Sequence, residues 1–305
     1  MSAVREPAAG AAGGIDARTR RLHRGALATM VLCPLLWSTA GVATRFLEHA
    51  EGFEIAFWRC VFCAIFVAAV LAVRHRGRWL GLLTAGGVAS WTSGAMWAVM
   101  FVAFILALSH ASVANVLVVL AAAPLLAALL GWAVLREPVP PRTWVAIAVA
   151  GAGIVWMVRD GLSSDGVTGM AIAFAVPVAS AINIVVLKRT GARVDLVPSV
   201  GLGALIAVAV TLPFAWPLSP SVPDLAILAG LGVFQLGLPC MLMVGAARHL
   251  APHEIALLAL LEVVLGPLWV WLGVGEAPTS STLQGGALVL AALVLNELVG
   301  RRAPR

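Results

Sequence analysis

The sequence has few charged residues and no tyrosine. Asp, Glu, Lys and Arg make up 11% of its 305 residues, whereas a soluble domain has about 25%. Hydrophobic residues make up 61%, and the mean hydropathy is +1.01. So few charges cannot cover a folded chain with a solvated surface, which excludes a water-soluble enzyme. The composition predicts a protein whose solvent is lipid.

Cysteine is also scarce. Cys33, Cys60, Cys63 and Cys240 all lie in apolar surroundings, so no disulfide framework is predicted. Cys60 and Cys63 form a C-x-x-C pair of the kind that a membrane thiol-redox protein would use, but the pair lies inside an apolar run. The sequence has no Walker loop, no G-x-S-x-G and no H-E-x-x-H. We therefore expect no enzyme activity, no catalytic residues, no cofactor and no metal.

What the chain does contain is a series of ten apolar runs. A helix needs about 20 apolar residues to cross roughly 30 Å of hydrocarbon, and most of the runs approach that length. Residues 1–24 are polar and rich in Arg, and we expect a disordered cytoplasmic tail there; 301–305 form a second short tail. The runs cover residues 26–46, 53–73, 80–108, 112–135, 143–159, 166–187, 197–216, 223–247, 253–274 and 281–299.

Basic residues are distributed unevenly among the segments that join these runs. Counted in alternation, one side holds 17 Lys and Arg residues and the other holds only Arg159. Such asymmetry marks the cytoplasmic side of a membrane protein. It explains the net charge of +6 without nucleic-acid binding. The sequence predicts a multi-pass inner-membrane protein with both termini in the cytoplasm.

An offset of 139 residues brings the two halves of the chain into register. Five runs per half is an odd number, so the second half must enter the membrane upside down. The sequence therefore predicts ten transmembrane helices in two inverted five-helix repeats, 25–160 and 161–300, an architecture found in many secondary transporters. The matched pairs are His110 with His249, Trp132 with Trp271, Glu137 with Glu276 and Thr143 with Thr282.

Four segments carry a resemblance to a known family. They are LLWSTAG (35–41), FWR (57–59), ALSHASVANVLVVLAAAPLLAALLGWAVLREPV (107–139) and ALLALLEVVLGPLWVWLGVGEAPT (256–279). With them the chain resembles the drug/metabolite transporter superfamily in its ten-helix, EamA-like branch. Its first run is also similar to the first helix of bacterial aromatic-amino-acid exporters of that superfamily. The resemblance implies export of small metabolites, with amino acids as the leading candidates.

Ionisable residues inside an apolar run need a reason to be there. Glu262 lies near the middle of its run and could be a proton site, an anchor for a substrate ammonium group, or a structural acid hydrogen-bonded between helices. Arg59 could form a gate with nearby acids or extend outward to the membrane surface. Glu137 and Glu276 each end a run, and we expect them to accept hydrogen bonds from the start of the next helix.

Polar and aromatic residues within the runs are the candidates for a substrate cavity. Ser90, Ser93 and Trp97 share one helical face, and Phe101 and Phe104 extend it. A single Ser or Thr often bonds back to its own helix, whereas an amide cannot satisfy all its groups in that way. With Glu262, the predicted substrate-binding set is Trp37, Ser38, Thr39, Ser90, Ser93, Trp97, Asn115, Ser180, Asn183 and Gln235.

These features favour a secondary transporter that exports amino acids or related small metabolites by alternating access. An exchanger of phosphorylated or nucleotide-linked solutes is an alternative, but it would need two or more cations at the cavity, and only Arg59 and Lys188 lie near run interiors. A thiol-redox protein and a channel are further alternatives. We expect a small-molecule substrate and the lipid bilayer as partners, and no nucleic acid; a monomer is compatible with the sequence.

Overall fold

The computed structural model is all-α, which confirms the predicted fold class. Its described residues form helices joined by loops, and no strand occurs among them. They are 9–77, 79–136, 139–160, 164–190, 194–247, 249–250 and 252–302.

The first half of the chain forms eight helices. Two of its predicted spans are each built from two consecutive helices, α1 with α2 and α6 with α7. The helices are α1 (Ala9–Trp37), α2 (Ala40–Thr44), α3 (Gly52–Arg74), α4 (Trp79–Leu83), α5 (Val88–His110), α6 (Val113–Leu120), α7 (Ala123–Leu135) and α8 (Pro141–Asp160).

The second half forms six helices and one π-helical segment. That segment, Leu231–Gly237, joins two α-helices into a single span. The helices are α9 (Ser164–Thr190), α10 (Pro198–Ala215), α11 (Val222–Gly230), α12 (Leu238–Ala246), α13 (Pro252–Val274) and α14 (Ser280–Arg302).

The helices account for all ten predicted spans. Seven are long and apolar enough to cross a membrane, and three shorter apolar helices, Pro141–Trp156, Leu261–Val274 and Ser280–Asn296, fill the remaining places. Many large apolar side chains, such as Phe214 and Leu272, face outward. An apolar exterior is what lipid contact requires, so the chain is a multi-pass membrane protein.

The structure differs from the sequence prediction at both tails and in the third span. Residues 9–24 continue α1 where a disordered tail was predicted; Ala and Arg are good helix formers, so a membrane helix extends through them at little cost. Residues 1–8 lie outside the described part. The run 80–108 is divided into α4 and α5 by residues 84–87, where Gly87 adopts φ +58°. Helix α14 continues to Arg302.

Helix boundaries confirm the predicted repeat. The pair α6–α7 spans Val113–Leu135, and α13 spans Pro252–Val274. Both ends of α13 therefore lie 139 residues after their counterparts, and the start of α14 lies 139 residues after the start of α8. The register found from a few matched residues is thus the register of the helices themselves.

Helix packing follows the same symmetry. Helix α3 packs against its repeat partner α10, and α8 packs against its partner α14. Helix α5 packs against α9 and α10, while its counterpart, the span α11–α12, packs against α1 and α3. Contacts that exchange in this way are those of two halves related by a two-fold axis. Most of the packing therefore joins one half to the other.

Two cavities mark the two ends of the membrane domain. One, of about 670 Å³, is lined by Arg21, Arg74 and His249 among others; we call this the basic end. The other, of about 350 Å³, is lined by residues that include Arg45, Ser112 and Glu276; we call this the opposite end. Helix ends thus alternate between the two faces as the loop charges predicted.

Candidate functional site

Polar side chains of the membrane interior pair mainly between the two halves. We define the polar seam as the residues that make these pairs near the predicted cavity. Each of its hydrogen bonds joins a first-half residue to one of the second half, except for the bonds made inside each group. The seam consists of Trp37, Ser38, Ser93, Asn115, Asn183, Ser199, Gln235, Trp269 and Thr282.

Near the basic end, Ser93 joins three helices. Its hydroxyl lies 2.7 Å from Asn183 Oδ1 and 2.8 Å from Ser199 Oγ, and Ser199 Oγ donates to the Leu196 carbonyl at 2.6 Å. A hydroxyl has one proton, so Ser93 cannot donate to both neighbours. All three contacts are satisfied if the Asn183 amide is flipped: its NH₂ donates to Ser93, and Ser93 donates to Ser199.

In the middle of the membrane, the break between α1 and α2 meets the second half. Gln235 Nε2, in the π-helical segment, donates to the Trp37 carbonyl at 3.3 Å. The neighbouring Ser38 hydroxyl donates to Leu35 and accepts from Trp269 Nε1 at 3.0 Å. Gln235 Oε1 is buried and has no hydrogen-bond partner among the described residues. One acceptor at this level is therefore left open.

At the opposite end, Asn115 and Glu276 border the smaller cavity. Thr282 donates to Asn115 Oδ1 at 2.7 Å. Glu276 does not accept from the start of the next helix as predicted, because Thr279 occupies that position and accepts from the Thr282 amide. Glu276 instead pairs with Arg45 Nε at 3.0 Å, which ties the end of α2 to the end of α13. Its predicted counterpart Glu137 lies outside the described residues.

Other members of the predicted set have local roles. Thr39 is exposed and bonds to its own helix at Leu36. Ser90 accepts from the Gly86 amide at the start of α5, and Ser180 is half-buried one turn before Asn183. Trp97 is packed against Phe101 and so close to Gly203 that a Cβ there would meet it at 2.4 Å.

The predicted residues therefore do not surround one central site in this conformation. They form groups at three depths: Ser93 and Asn183 near the basic end, Trp37, Ser38 and Gln235 in the middle, and Asn115 at the opposite end. Sequence position gives the depth of a residue along its helix, but not which neighbouring helix it faces.

Glu262 is half-buried on α13. No hydrogen bond or ion pair to it occurs within the described part of the chain, so the hydrogen bond between helices that we considered is absent there. Its charge interacts with the Cys240 thiol of α12. The acid thus faces the span that carries Gln235.

Arg59 does not reach the membrane surface and does not pair with Glu48, Glu51 or Glu54 as considered above. Only 1% of it is exposed, and it lies about 10 Å along α3 from the helix start. Its Nη2 donates to the Phe101 carbonyl at 3.4 Å, and the Phe104 ring centroid is 5.8 Å away. Among the described residues, Nε and Nη1 have no partner. The side chain turns inward because α5 offers it a carbonyl and an aromatic face.

Such a group is costly. Placing an arginine at the centre of a membrane helix costs about 2.5–3.5 kcal/mol on insertion scales, and a buried cation without an acid partner recovers little of that cost. The neighbours that interact with its charge are Cys60, Cys63 and Cys240. All four cysteines are buried free thiols, which leaves Cys60 and Cys63 inaccessible to the thiol exchange that a redox protein would perform.

Asp224 is a functional acid that the sequence analysis missed. It is 1% exposed at the start of α11. Its carboxylate accepts from the backbone amides of Glu48, His49 and Ala50 at 3.0–3.2 Å. Ser221 caps the same helix by accepting from the Asp224 amide. The S-x-x-D spacing was a visible capping signal, but nothing in it indicated that the acid would hold the distant α2–α3 loop.

Comparison with known proteins agrees with this architecture. The sequence profile of the EamA-like transporter family matches the chain twice, over residues 24–159 and 167–298. A solved structure titled only "Crystal structure of protein" is similar over 92% of this chain and 98% of its own, with a TM-score of 0.64 and 21% identity, which shows a shared fold. None of the curated proteins matches the chain.

Proposed function

The chain belongs to the EamA-like transporter family, and from this premise we propose that it is a secondary transporter that exports amino acids or related small metabolites. The proposal places it in the inner membrane with both termini in the cytoplasm, so that the basic end faces the cytoplasm. The 17-to-one distribution of basic residues supports this orientation. Transport proceeds by alternating access between the two repeats.

The observation that carries the proposal is the polar seam between the halves. Its contacts are single hydrogen bonds between uncharged side chains. In membranes such bonds contribute about 0.6 kcal/mol on average. A few contacts of that strength hold two halves in register, yet they can be exchanged when a solute enters. A seam of this kind supports movement of one repeat against the other.

The two end cavities support a cycle with unequal openings. In this conformation the basic-end cavity is about twice the volume of the one at the opposite end, about 670 Å³ against 350 Å³. The smaller cavity is bordered by the Arg45–Glu276 ion pair. We infer that this pair helps to close the opposite end while solutes enter from the basic end, which is the order that export requires.

Reconstitution tests the function directly. Purified protein in liposomes is preloaded with single unlabelled amino acids, and counterflow of the labelled amino acid is measured with and without a pH gradient. We expect counterflow for a subset of amino acids that Ser93→Ala reduces. Thr211→Val is the matched control, because Thr211 is equally buried but bonds only to its own helix. Counterflow no faster than in protein-free liposomes for every amino acid would contradict the proposed substrate class.

Topology is tested separately. A reporter that is active only outside the cytoplasm should be inactive when fused after Arg305 and active when inserted between Trp216 and Ser221. These residues join α10 to α11 at the opposite end. The reverse pattern would contradict the proposed orientation and leave the transport proposal standing.

A further inference from the structure

Two buried polar groups of opposite hydrogen-bonding character lie open in the membrane interior. Arg59 has two N–H directions without an acceptor, and Gln235 has a carbonyl oxygen without a donor, among the described residues. Arg59 is 1% exposed and Gln235 is 5% exposed. Native proteins rarely leave such groups unsatisfied. A missing partner for both would have to offer an acceptor to one and a donor to the other.

A short chain of contacts connects the two groups. The charge of Arg59 interacts with the Cys240 thiol, and the Trp37 side chain is hydrogen-bonded to that thiol. The Trp37 carbonyl in turn accepts from Gln235. Glu262 also interacts with Cys240. The interior cation, the open amide oxygen and the interior acid thus all surround one residue of the eighth span.

The backbone beside Arg59 has the geometry of a functional site. Gln235 lies in the π-helical segment, a rare form that occurs frequently at functional sites. Gly232 of that segment packs so tightly that a Cβ there would meet the Arg59 carbonyl at 2.5 Å and the Phe62 Cβ at 2.6 Å. Span 8 therefore approaches α3 closely beside the unpaired cation.

We propose that Arg59 and Gln235 are the two ends of a binding site for a zwitterion, with the carboxylate on Arg59 and the ammonium group on Gln235 Oε1. This assignment rests on the proposed transport of amino acids and names the side chains that would recognise them. A guanidinium binds a planar carboxylate through two parallel N–H bonds. A phosphorylated solute fits less well, because Lys188 is exposed at the end of α9 rather than beside Arg59.

In this conformation the site is closed. Phe101 and Phe104 of α5 cover the guanidinium from one side, and the π-helical segment covers it from the other. A solute would reach Arg59 when α5 and span 8 separate, which is a movement between repeats. Binding is therefore coupled to the change in access.

Three probes that share a phenyl group separate the two ends of the site. L-phenylalanine has both charged groups, 3-phenylpropionate has only the carboxylate, and 2-phenylethylamine has only the ammonium group. Binding is measured as the rise in unfolding temperature of the full-length protein in detergent. Wild type should be stabilised by the two carboxylates and not by the amine. Arg59→Met should weaken binding of both carboxylates about tenfold or more, because a charge-assisted hydrogen-bond pair is lost.

Two further variants make the test specific. Gln235→Leu should remove the preference for L-phenylalanine over 3-phenylpropionate while 3-phenylpropionate still binds. Arg59→Lys, which keeps the charge without the planar fork, should bind both carboxylates with intermediate affinity and guards against misfolding of the Met variant. Thr211→Val should behave as wild type. Carboxylate binding unchanged in Arg59→Met, equal binding of the amine to wild type, or no stabilisation by any probe would each overturn the assignment.

Counterflow of labelled L-phenylalanine on the same samples separates the site from the transport function. Counterflow that is present in wild type and lost in Arg59→Met supports both. Carboxylate binding that depends on Arg59 but occurs without counterflow would overturn amino-acid transport and leave the site intact. Counterflow that survives in Arg59→Met would overturn the site and leave transport intact.

Discussion

Asp224 and Arg59 are buried to the same extent and are satisfied to very different extents. Each is 1% exposed and carries an ionisable group. The Asp224 carboxylate accepts three backbone N–H groups, and His49 Nδ1 lies 3.8 Å away. The Arg59 guanidinium makes one long hydrogen bond, to the Phe101 carbonyl.

The difference teaches how to distinguish a structural ionisable group from one available to a ligand. The hydrogen bonds of Asp224 replace those that water would provide, so the carboxylate fixes the α2–α3 loop onto α11. Arg59 recovers little of its desolvation cost from the protein. Burial alone therefore does not indicate a role; the count of unsatisfied groups does.

The largest effect is expected at Asp224. Asp224→Ala leaves three loop amides without an acceptor, and each unsatisfied buried donor is costly. We expect a loss of about 3 kcal/mol or more in the free energy of unfolding. Thermal unfolding in detergent measures it, with Asp195→Ala as control, because Asp195 is exposed and bonds to the Val197 amide. A loss at Asp224 no larger than that at Asp195 would contradict the structural role.

Arg59→Met should have the opposite effect on stability. Replacing an unpaired buried charge with an apolar side chain of similar length is often neutral or stabilising, by about 1–4 kcal/mol. We expect the unfolding temperature without added solute to stay constant or rise. A fall as large as that of Asp224→Ala would show that the protein itself satisfies Arg59 and would remove the contrast between the two residues.

The Arg45–Glu276 pair should contribute little to stability and more to access. Both side chains are about one-third exposed, and exposed pairs contribute about 0.2–1 kcal/mol. Glu276→Gln should nevertheless increase the labelling rate of an engineered Ser112→Cys at the opposite end by a membrane-impermeant maleimide. The four native thiols are buried, so they give little background. An unchanged labelling rate would argue against this pair as a gate.

The smallest effect is expected at the polar seam. Thr282→Val removes the bond to Asn115 Oδ1 and should cost about 0.6 kcal/mol, the average for such bonds in a membrane. Thr211→Val, which loses only own-helix bonds, is the reference. A cost of several kcal/mol at Thr282 would mean that the seam is too strong to be exchanged during transport.

Much of the site's composition was predictable and its arrangement was not. Asn183 and Gln235 were singled out because an amide cannot be satisfied by its own helix, and both make contacts across the seam. Ser199 and Trp269 were missed, since a serine at a helix start and a tryptophan among apolar residues carry no distinguishing signal. The inward direction of Arg59 was missed as well, because a long side chain can turn either way from the same backbone position.

The sequence by itself determined the membrane class, the ten spans and the 139-residue register. These follow from hydropathy and length, which act along the chain: a backbone in lipid must satisfy its hydrogen bonds within each helix. Tertiary structure alone decided which polar residues meet. A helix that packs on protein on one side and lipid on the other is apolar on both, so its sequence carries little sign of which face turns inward. The contact of Asp224 with a loop some 175 residues away, and the closure of α5 and span 8 over Arg59, exist only after the helices have packed.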